Sequence, residues 1–127
     1  MANFCNDGSK GIDVILPANT QCLWTIGTQT GGTWTVNVKD ADGTVLFTQT
    51  MGGNQLIPQT GVFNTNSNSN YTITLTSNVL NKVLYGNYPV NMANTVYSDT
   101  WIFIGEDSTD NDYNDVYFSL TWFTNAD

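Results

Sequence analysis

The 127-residue sequence predicts an all-β fold in which two sheets pack face to face as a sandwich. Two observations lead to this prediction. Threonine, valine, isoleucine and aromatic residues dominate the chain, and apolar residues alternate with polar ones in several segments. Such alternation buries one face of a strand and leaves the other in water. The length suits one domain with a single core.

Three segments show the alternation most clearly, and turn-forming residues separate them. Residues 40–43 predict a hairpin connection, and residues 52–54 and 64–70 predict loops. Two tryptophans, Trp24 and Trp101, fit either the core or a surface on which a ligand could stack. The residues predicted to face the core are Trp34, Val36 and Val38 in the first segment, Tyr71, Ile73 and Leu75 in the second, and Val116, Phe118, Leu120 and Trp122 in the third.

Charge and composition exclude several classes of function. The chain has a net charge of −8, three lysines and no arginine or histidine, so we expect no nucleic-acid partner and no attraction to anionic lipid. Without histidine, Ser-His-Asp and Cys-His catalysis are impossible. No apolar run is long enough to insert into a membrane. The first residues lack the apolar centre of a secretory signal, so either the protein is not Sec-exported or a signal has been removed.

The two cysteines, Cys5 and Cys22, allow one disulfide or none. A bridge would require an oxidising compartment. Cys22 lies in an apolar, strand-like stretch where a buried free thiol is also common. Both alternatives remain open from the sequence.

The segment GEDSTDNDYNDVYF, residues 105–118, concentrates the acidic residues. Five of the eleven carboxylates of the chain lie within residues 106–115. Two carboxylates about 5 Å apart, at an effective dielectric near 20, repel by roughly 3 kcal/mol, so such a cluster would unfold the loop, bind a proton or need cations. Calcium takes about six to eight oxygen ligands and prefers carboxylates, amide oxygens and backbone carbonyls. Because no sulfur or imidazole is near, the segment predicts calcium, and its five charges suit two ions better than one.

An EF-hand is the obvious alternative, because its loop also opens D-x-D-x-N. Counted from Asp110, the sixth position is Asp115, where an EF-hand needs glycine. The twelfth position is Thr121, where it needs glutamate. The flanking segments also predict strands rather than helices. The segment is therefore not an EF-hand.

The stretch EDSTDNDYNDVYFSLTW resembles the calcium loop and last strand of the two-calcium bacterial lectins, the LecB-type fucose- and mannose-binding family. A second match, in register with the first, joins LPANT at residues 16–20 to GT-x-TVNV at residues 32–38. The resemblance covers most of the chain from Gly11 onward. It implies a Greek-key antiparallel β-sandwich of about nine strands over residues 1–127, with residues 1–10 as an N-terminal extension.

The resemblance also implies a binding site. Each chain would bind two calcium ions and would use them to recognise fucose- or mannose-containing glycans by direct coordination of sugar hydroxyls. The loop Thr30, Gly31 and Gly32 would tune sugar preference. The first ion would be held by Glu106, Asp110, Asp112 and Asp115. The second would be held by Asp112, Asn114, Asp115 and the main-chain carbonyl of Gln29. Sugar contacts would come from Thr30, Gly31, Gly32, Asp107, Asp110, Asp112, Asn114 and Asp115.

The resemblance further implies a homodimer or larger homo-oligomer, in which the chain end closes a neighbouring site. Family members typically end in glycine, whereas Asn125 occupies that position here and Ala126 and Asp127 follow. Asn125 or Asp127 could supply the oxygen that reaches the partner site. The residue at 29 is often asparagine in the family, and the backbone role expected of Gln29 tolerates that change.

Two other functions compete with a lectin. In a structural or adhesive β-sandwich module, calcium would only stiffen the acidic loop. In a glycosidase, two of Glu106, Asp107 and Asp110 would act as acid and base. A general acid needs a raised pKa in an apolar pocket, and calcium acts in the opposite direction. The sequence therefore predicts a protein that is not an enzyme.

Overall fold

The computed structural model describes residues 2–124, which are almost entirely β-structure and confirm the predicted all-β fold. A short 3-10 turn spans Gly8–Lys10. None of the described residues forms a helix long and apolar enough to cross a bilayer. The eight strands are β1 (Asn3–Cys5), β2 (Ile12–Ile15), β3 (Gln21–Asp40), β4 (Val45–Asn64), β5 (Asn70–Ser77), β6 (Lys82–Met92), β7 (Thr95–Glu106) and β8 (Val116–Phe123).

All strand pairs are antiparallel, and the strands follow the order β1-β6-β7-β8-β3-β5-β2, with β4 alongside β3. The early part of β3, residues 23–28, pairs with β8, and the late part, residues 34–40, pairs with β5. The aromatic ring of Phe47 in β4 lies 5.7 Å from that of Phe63 and 6.1 Å from that of Phe118. The two halves of the long strands therefore face each other across the core. The described residues form eight strands where about nine were expected, because β3 and β4 are long and each contributes to both layers.

The pairing of β3 with β4 is interrupted in the middle. Gln29 pairs with Asn54 and Thr33 pairs with Gly52, so residues 30–32 lie opposite the single residue Gly53. Gly53 has a φ of 74°, a left-handed conformation that glycine adopts without steric cost. The prediction of a loop at residues 52–54 is therefore wrong. These residues remain inside β4 because β3 supplies their partners, and the extra chain bulges from β3 instead.

The alternation of apolar residues correctly identifies most of the core. Trp34 is fully buried between the layers, and Trp24, Trp101 and Trp122 are partly buried and pack against the core. The two tryptophans that the sequence left open thus contribute to packing. The other residues predicted to face inward are also buried, namely Val36, Val38, Tyr71, Ile73, Leu75, Val116, Phe118 and Leu120.

The N-terminal segment packs on the sandwich. β1 pairs with β6, and the main-chain N–H of Gly8 donates to the carbonyl of Asn81 at 2.7 Å. Cys5 in β1 and Cys22 in β3 are both free thiols, so the structure has no Cys5–Cys22 disulfide. Burial raises the pKa of the Cys22 thiol to about 11, which keeps it protonated and unreactive.

Gly105 lies where β7, β8 and the Trp34 ring meet. A Cβ atom at this position would lie 2.5 Å from Cγ1 of Val116 and 2.9 Å from Cη2 of Trp34. Gly105→Ala should therefore lower the free energy of unfolding by about 1–3 kcal/mol, because both neighbours are buried and must shift. Urea denaturation measures the change. Gly31→Ala is the matched control, since no atom lies within 4 Å of its added Cβ. Equal stability of the two variants would contradict this packing.

Candidate functional site

The five clustered carboxylates lie where β7 ends and β8 begins. Glu106 is the last residue of β7 and is fully buried, and Asp115 immediately precedes β8 and is also buried. The main-chain N–H of Asp115 donates to the carbonyl of Gly105 at 3.1 Å, which draws the two ends of the loop together. Asp107 is half-buried, whereas Asp110 and Asp112 are exposed. The loop thus places buried, half-buried and exposed carboxylates around one point.

Glu106 organises the loop. One carboxylate oxygen accepts from the main-chain N–H of Ser108 at 3.1 Å and from its hydroxyl at 2.6 Å. The other accepts from the main-chain N–H of Tyr113 at 2.8 Å. Tyr113 and Asn111 have φ values of 52° and 59°, which a non-glycine residue rarely adopts. The loop therefore turns back around Glu106, with this carboxylate holding both sides.

The carboxylate oxygens form two groups that share Glu106. Oxygens of Glu106, Asp110 and Asp112 lie within 4.8 Å of one another, and the same is true of Glu106, Asp107 and Asp115. The first group contains three of the four residues expected around one ion. Neither group contains both Asp112 and Asp115, so the expected bridging of two ions by this pair stays a prediction.

Two further predicted ligands lie beside these groups. Asn114 is exposed in the loop, next to Asp115. The main-chain N–H of Gln29 donates to the main-chain carbonyl of Asp115 at 3.1 Å, so β3 runs alongside the loop here. The tail residues Asn125 and Asp127 lie outside the described residues.

The pKa values show how poorly the cluster tolerates its own charge. Burial acts to raise the pKa of Glu106, but hydrogen bonds, chiefly from Ser108, lower it to about 2. Burial, with the charges of Asp107 and Glu106, raises the pKa of Asp115 to about 7. Partial desolvation of its carboxylate, together with its carboxyl neighbours Glu106 and Asp110, also raises the pKa of Asp112. At neutral pH the cluster therefore holds protons or binds cations, and its all-oxygen donor set suits calcium.

The loop formed by Thr30, Gly31 and Gly32 lies against the carboxylates. The hydroxyl of Thr30 donates to Oδ2 of Asp107 at 2.5 Å and accepts from the main-chain N–H of Gly32 at 3.2 Å. The indole N–H of Trp34 donates to the same oxygen of Asp107 at 3.3 Å. The structure thus brings the predicted specificity loop and the predicted metal loop together through one carboxylate. A cleft of about 420 Å³ opens beside them.

Three residues that support the site were not predicted from the sequence to do so. Ser108 bridges Glu106 and Asp110, and its position between two acidic residues in EDSTD could have indicated this. Trp34 was predicted only as a core residue. Lys82 donates to the side-chain oxygen of Asn111 at 2.8 Å, and only the pairing of β6 with β7 reveals this contact. Together these residues fix the loop from three directions.

Comparisons with known proteins identify relatives of this chain. Residues 14–124 match the family described as Fucose-binding lectin II (PA-IIL). The chain is similar to a Ralstonia solanacearum high-affinity mannose-binding lectin, with 29% identity, a TM-score of 0.67, and coverage of 87% of this chain and 94% of that one. A search of curated proteins found no match.

Two further solved structures share the fold at lower identity. One is the Chromobacterium violaceum lectin CV2L in complex with α-methyl-fucoside, with 24% identity and a TM-score of 0.69 over 93% of this chain and 97% of that one. The other is the C-terminal domain of the BC2L-C lectin from Burkholderia cenocepacia, with 20% identity and a TM-score of 0.69 over 96% of this chain and 97% of that one.

The pKa shifts predict how the metal-free protein responds to pH. The pKa of Asp115 rises from 3.8 to about 7 on folding, so its contribution to stability is present below about pH 4 and is lost as the pH rises through about 7. Folding lowers the pKa of Glu106 from 4.5 to about 2, so its contribution to stability is present above about pH 4.5 and is lost only as the pH falls toward about 2. The melting temperature of protein freed of metal should therefore fall between about pH 4 and pH 7.

Differential scanning fluorimetry of metal-stripped protein measures this slope, and Asp115→Asn supplies the control. The variant retains an oxygen that can accept from the main-chain N–H of Asp107 but cannot ionise. Its melting temperature should change much less over the same range. A wild-type melting temperature that stays level or rises between pH 4 and pH 7 would show that folding does not raise the pKa of Asp115.

Proposed function

We propose, since the chain belongs to the Fucose-binding lectin II (PA-IIL) family, that it is a calcium-dependent lectin that binds fucose- or mannose-type sugars through two calcium ions. The observation that carries this proposal is the contact between two loops. The carboxylates of residues 106–115 lie directly against the Thr30–Asp107 hydrogen bond, beside an open cleft. The candidate metal ligands therefore lie next to a cleft that a small ligand could occupy.

The residues have distinct roles in this proposal. Asp107 and Asp110 accept hydrogen bonds from sugar hydroxyls, and Thr30, Gly31 and Gly32 flank the bound sugar. Calcium supplies open coordination positions that sugar hydroxyl oxygens can occupy. The first ion is assigned to Glu106, Asp110, Asp112 and Asp115, and the second to Asp112, Asn114, Asp115 and the main-chain oxygen of Gln29.

The charges and burial of the candidate ligands support a bound cation, and their all-oxygen donor set favours calcium. Glu106 and Asp115 are buried, and burial of ionised carboxylates is costly unless cations or hydrogen bonds compensate. The lysine beside the loop, Lys82, donates its hydrogen bond to the uncharged side chain of Asn111. Calcium would neutralise the cluster and would also lower the pKa values that are raised in its absence.

A structural module is the second candidate, because an ion that only stiffens the loop would also explain the burial of Glu106 and Asp115. The two functions differ in what lies outside the loop. A stiffening ion needs no ligand-sized space, whereas the cleft beside Thr30 and Asp107 provides it. The family membership also favours sugar binding and a protein that is not an enzyme.

Isothermal titration with methyl α-L-fucoside and methyl α-D-mannoside, with calcium and with chelator, tests the proposal. At least one sugar should bind in calcium, and chelation should weaken binding more than about 100-fold, because each metal-bound hydroxyl would lose its partner. Asp112→Asn should have a similar effect in calcium. Asp13→Asn, which removes an exposed carboxylate of β2, is the matched control and should bind normally.

The outcomes separate the two candidates. Calcium binding without affinity for either sugar, or for a broad glycan array, would favour the structural module. Sugar binding that survives chelation would contradict the metal-mediated mechanism.

We also propose that the protein forms a homodimer. Tyr88, Val90, Tyr117 and Phe123 share the outer face of the β6-β7-β8 sheet, and all four are exposed. On a chain with a net charge of −8, this uncharged set offers a surface where two copies can approach without burying carboxylates.

Sedimentation velocity at about 10–100 μM should show a dimer, and Val90→Glu should shift it toward monomer, because a buried unpaired charge costs several kcal/mol. Ile15→Glu is the control, since Ile15 is an exposed residue of β2 and lies outside this face. A wild-type protein that sediments as a monomer over the same range would refute the dimer.

A further inference from the structure

The cleft beside the specificity loop has two chemically different walls. One wall is polar and contains Asp107, Ser108 and Thr109. The other is formed by the turn between β5 and β6, where Val79 and Leu80 are exposed over 74% and 37% of their surfaces. Exposed apolar residues are ordinary when scattered, but these two adjoin each other at the edge of a cleft. The cleft can therefore contact polar and apolar parts of one ligand at once.

The floor of the cleft allows close approach. Gly31 and Gly32 line it, and a Cβ atom added at either position would meet no atom within 4 Å. The space over this backbone is therefore open rather than filled by neighbouring side chains. A group extending from a sugar held near Asp107 could lie over these glycines and reach Val79.

The apolar turn is held in place before any ligand binds. The side-chain oxygen of Asn81 accepts from the main-chain N–H of Ser77 at 2.6 Å, and the hydroxyl of Ser77 accepts from the main-chain N–H of Val79 at 3.3 Å. Asn81 in turn contacts the N-terminal segment. Its side-chain amide donates to Asp7 at 3.2 Å, and its carbonyl accepts from the N–H of Gly8 at 2.7 Å. Such preorganisation lowers the entropic cost of binding.

The support of this turn belongs to the part of the chain outside the family match. The matched region begins at residue 14, whereas Asp7 and Gly8 precede it. A Cβ atom at Gly8 would lie 2.8 Å from Cγ2 of Val83 and 2.9 Å from the carbonyl oxygen of Leu75, so the segment fits closely against β5 and β6. The N-terminal segment therefore supports the turn that carries Val79 and Leu80 through its contacts with Asn81.

We infer that the Val79–Leu80 wall forms a second subsite, which takes an apolar group attached to the anomeric oxygen of the sugar bound at the carboxylate loop. The ligand class is thus a glycoside with an aromatic or otherwise apolar aglycone. This inference rests on the proposed function, because the sugar must be held at the neighbouring site for its aglycone to reach Val79. It adds a specificity determinant to the turn between β5 and β6.

Titration calorimetry of the calcium-loaded protein with methyl and phenyl glycosides tests the subsite, using both anomers of fucose and of mannose. At least one phenyl glycoside should bind about fivefold tighter than its methyl counterpart, which corresponds to burial of about 40 Å² of apolar surface. Val79→Ser combined with Leu80→Ser should abolish this gain and leave methyl glycoside affinity unchanged, because both side chains lie beyond the sugar. Val45→Ser, an exposed valine of β4, is the control and should keep the gain.

The outcomes distinguish the subsite from the site that it adjoins. Methyl glycosides that bind without any gain for phenyl glycosides would overturn the subsite and leave the proposed function intact. A gain that persists in the Val79→Ser, Leu80→Ser variant would also overturn it. Failure of every glycoside to bind would overturn both.

Discussion

Mutual repulsion among five carboxylates is the constraint on which the organisation of this protein's site depends. The sandwich places Glu106 and Asp115 out of water, although buried carboxylates are costly unless hydrogen bonds or cations compensate. Hydrogen bonds from Ser108 and Tyr113 keep Glu106 ionised, whereas the pKa of Asp115 rises to about 7. The loop is thus stable in its present shape, but its charge is only partly compensated. A bound cation would supply the missing charge, and under the proposed function it would also provide the contact to the ligand.

The rest of the fold holds that loop against residues 30–32 and the cleft beside them. β7 and β8 pair up to Gly105 and Val116, which fixes both ends of the loop. The break in the pairing of β3 with β4 frees residues 30–32 from regular register just where β3 passes the loop. Asp107 then joins the parts, because it accepts from Thr30 in the break and from Trp34 in the core. A core tryptophan and a surface loop therefore position the same carboxylate.

Sequence reasoning identified the elements that depend on local pattern. The period-2 alternation in β3, β5 and β8 predicted their inward faces, because strand geometry alone decides which side chains share a face. The crowding of carboxylates also led to the prediction of a cation site; the structure shows that the carboxylate oxygens meet, and the bound cation stays a prediction. The resemblance to a lectin family added the loop at residues 30–32, which the structure places against Asp107.

Features that depend on pairing between distant segments of the chain could not be predicted from the sequence. Residues 52–54 look like a loop because they are two glycines and an asparagine, yet they continue β4, because β3 supplies hydrogen-bonding partners and accommodates the mismatch itself. The contact of Lys82 with Asn111 and the support of the Val79–Leu80 turn by Asp7 depend on which strands become neighbours. No property of the residues taken in sequence order contains this information.

The central claim is that the repelling carboxylates hold two calcium ions which bind the sugar directly. A crystal structure of the protein grown with calcium and methyl α-D-mannoside or methyl α-L-fucoside, with anomalous diffraction to locate calcium, tests it most directly. We expect two ions within the loop of residues 106–115, with sugar hydroxyl oxygens at about 2.3–2.6 Å from them. A sugar bound only by side chains, or an acidic loop that holds no calcium while the sugar is bound, would contradict it.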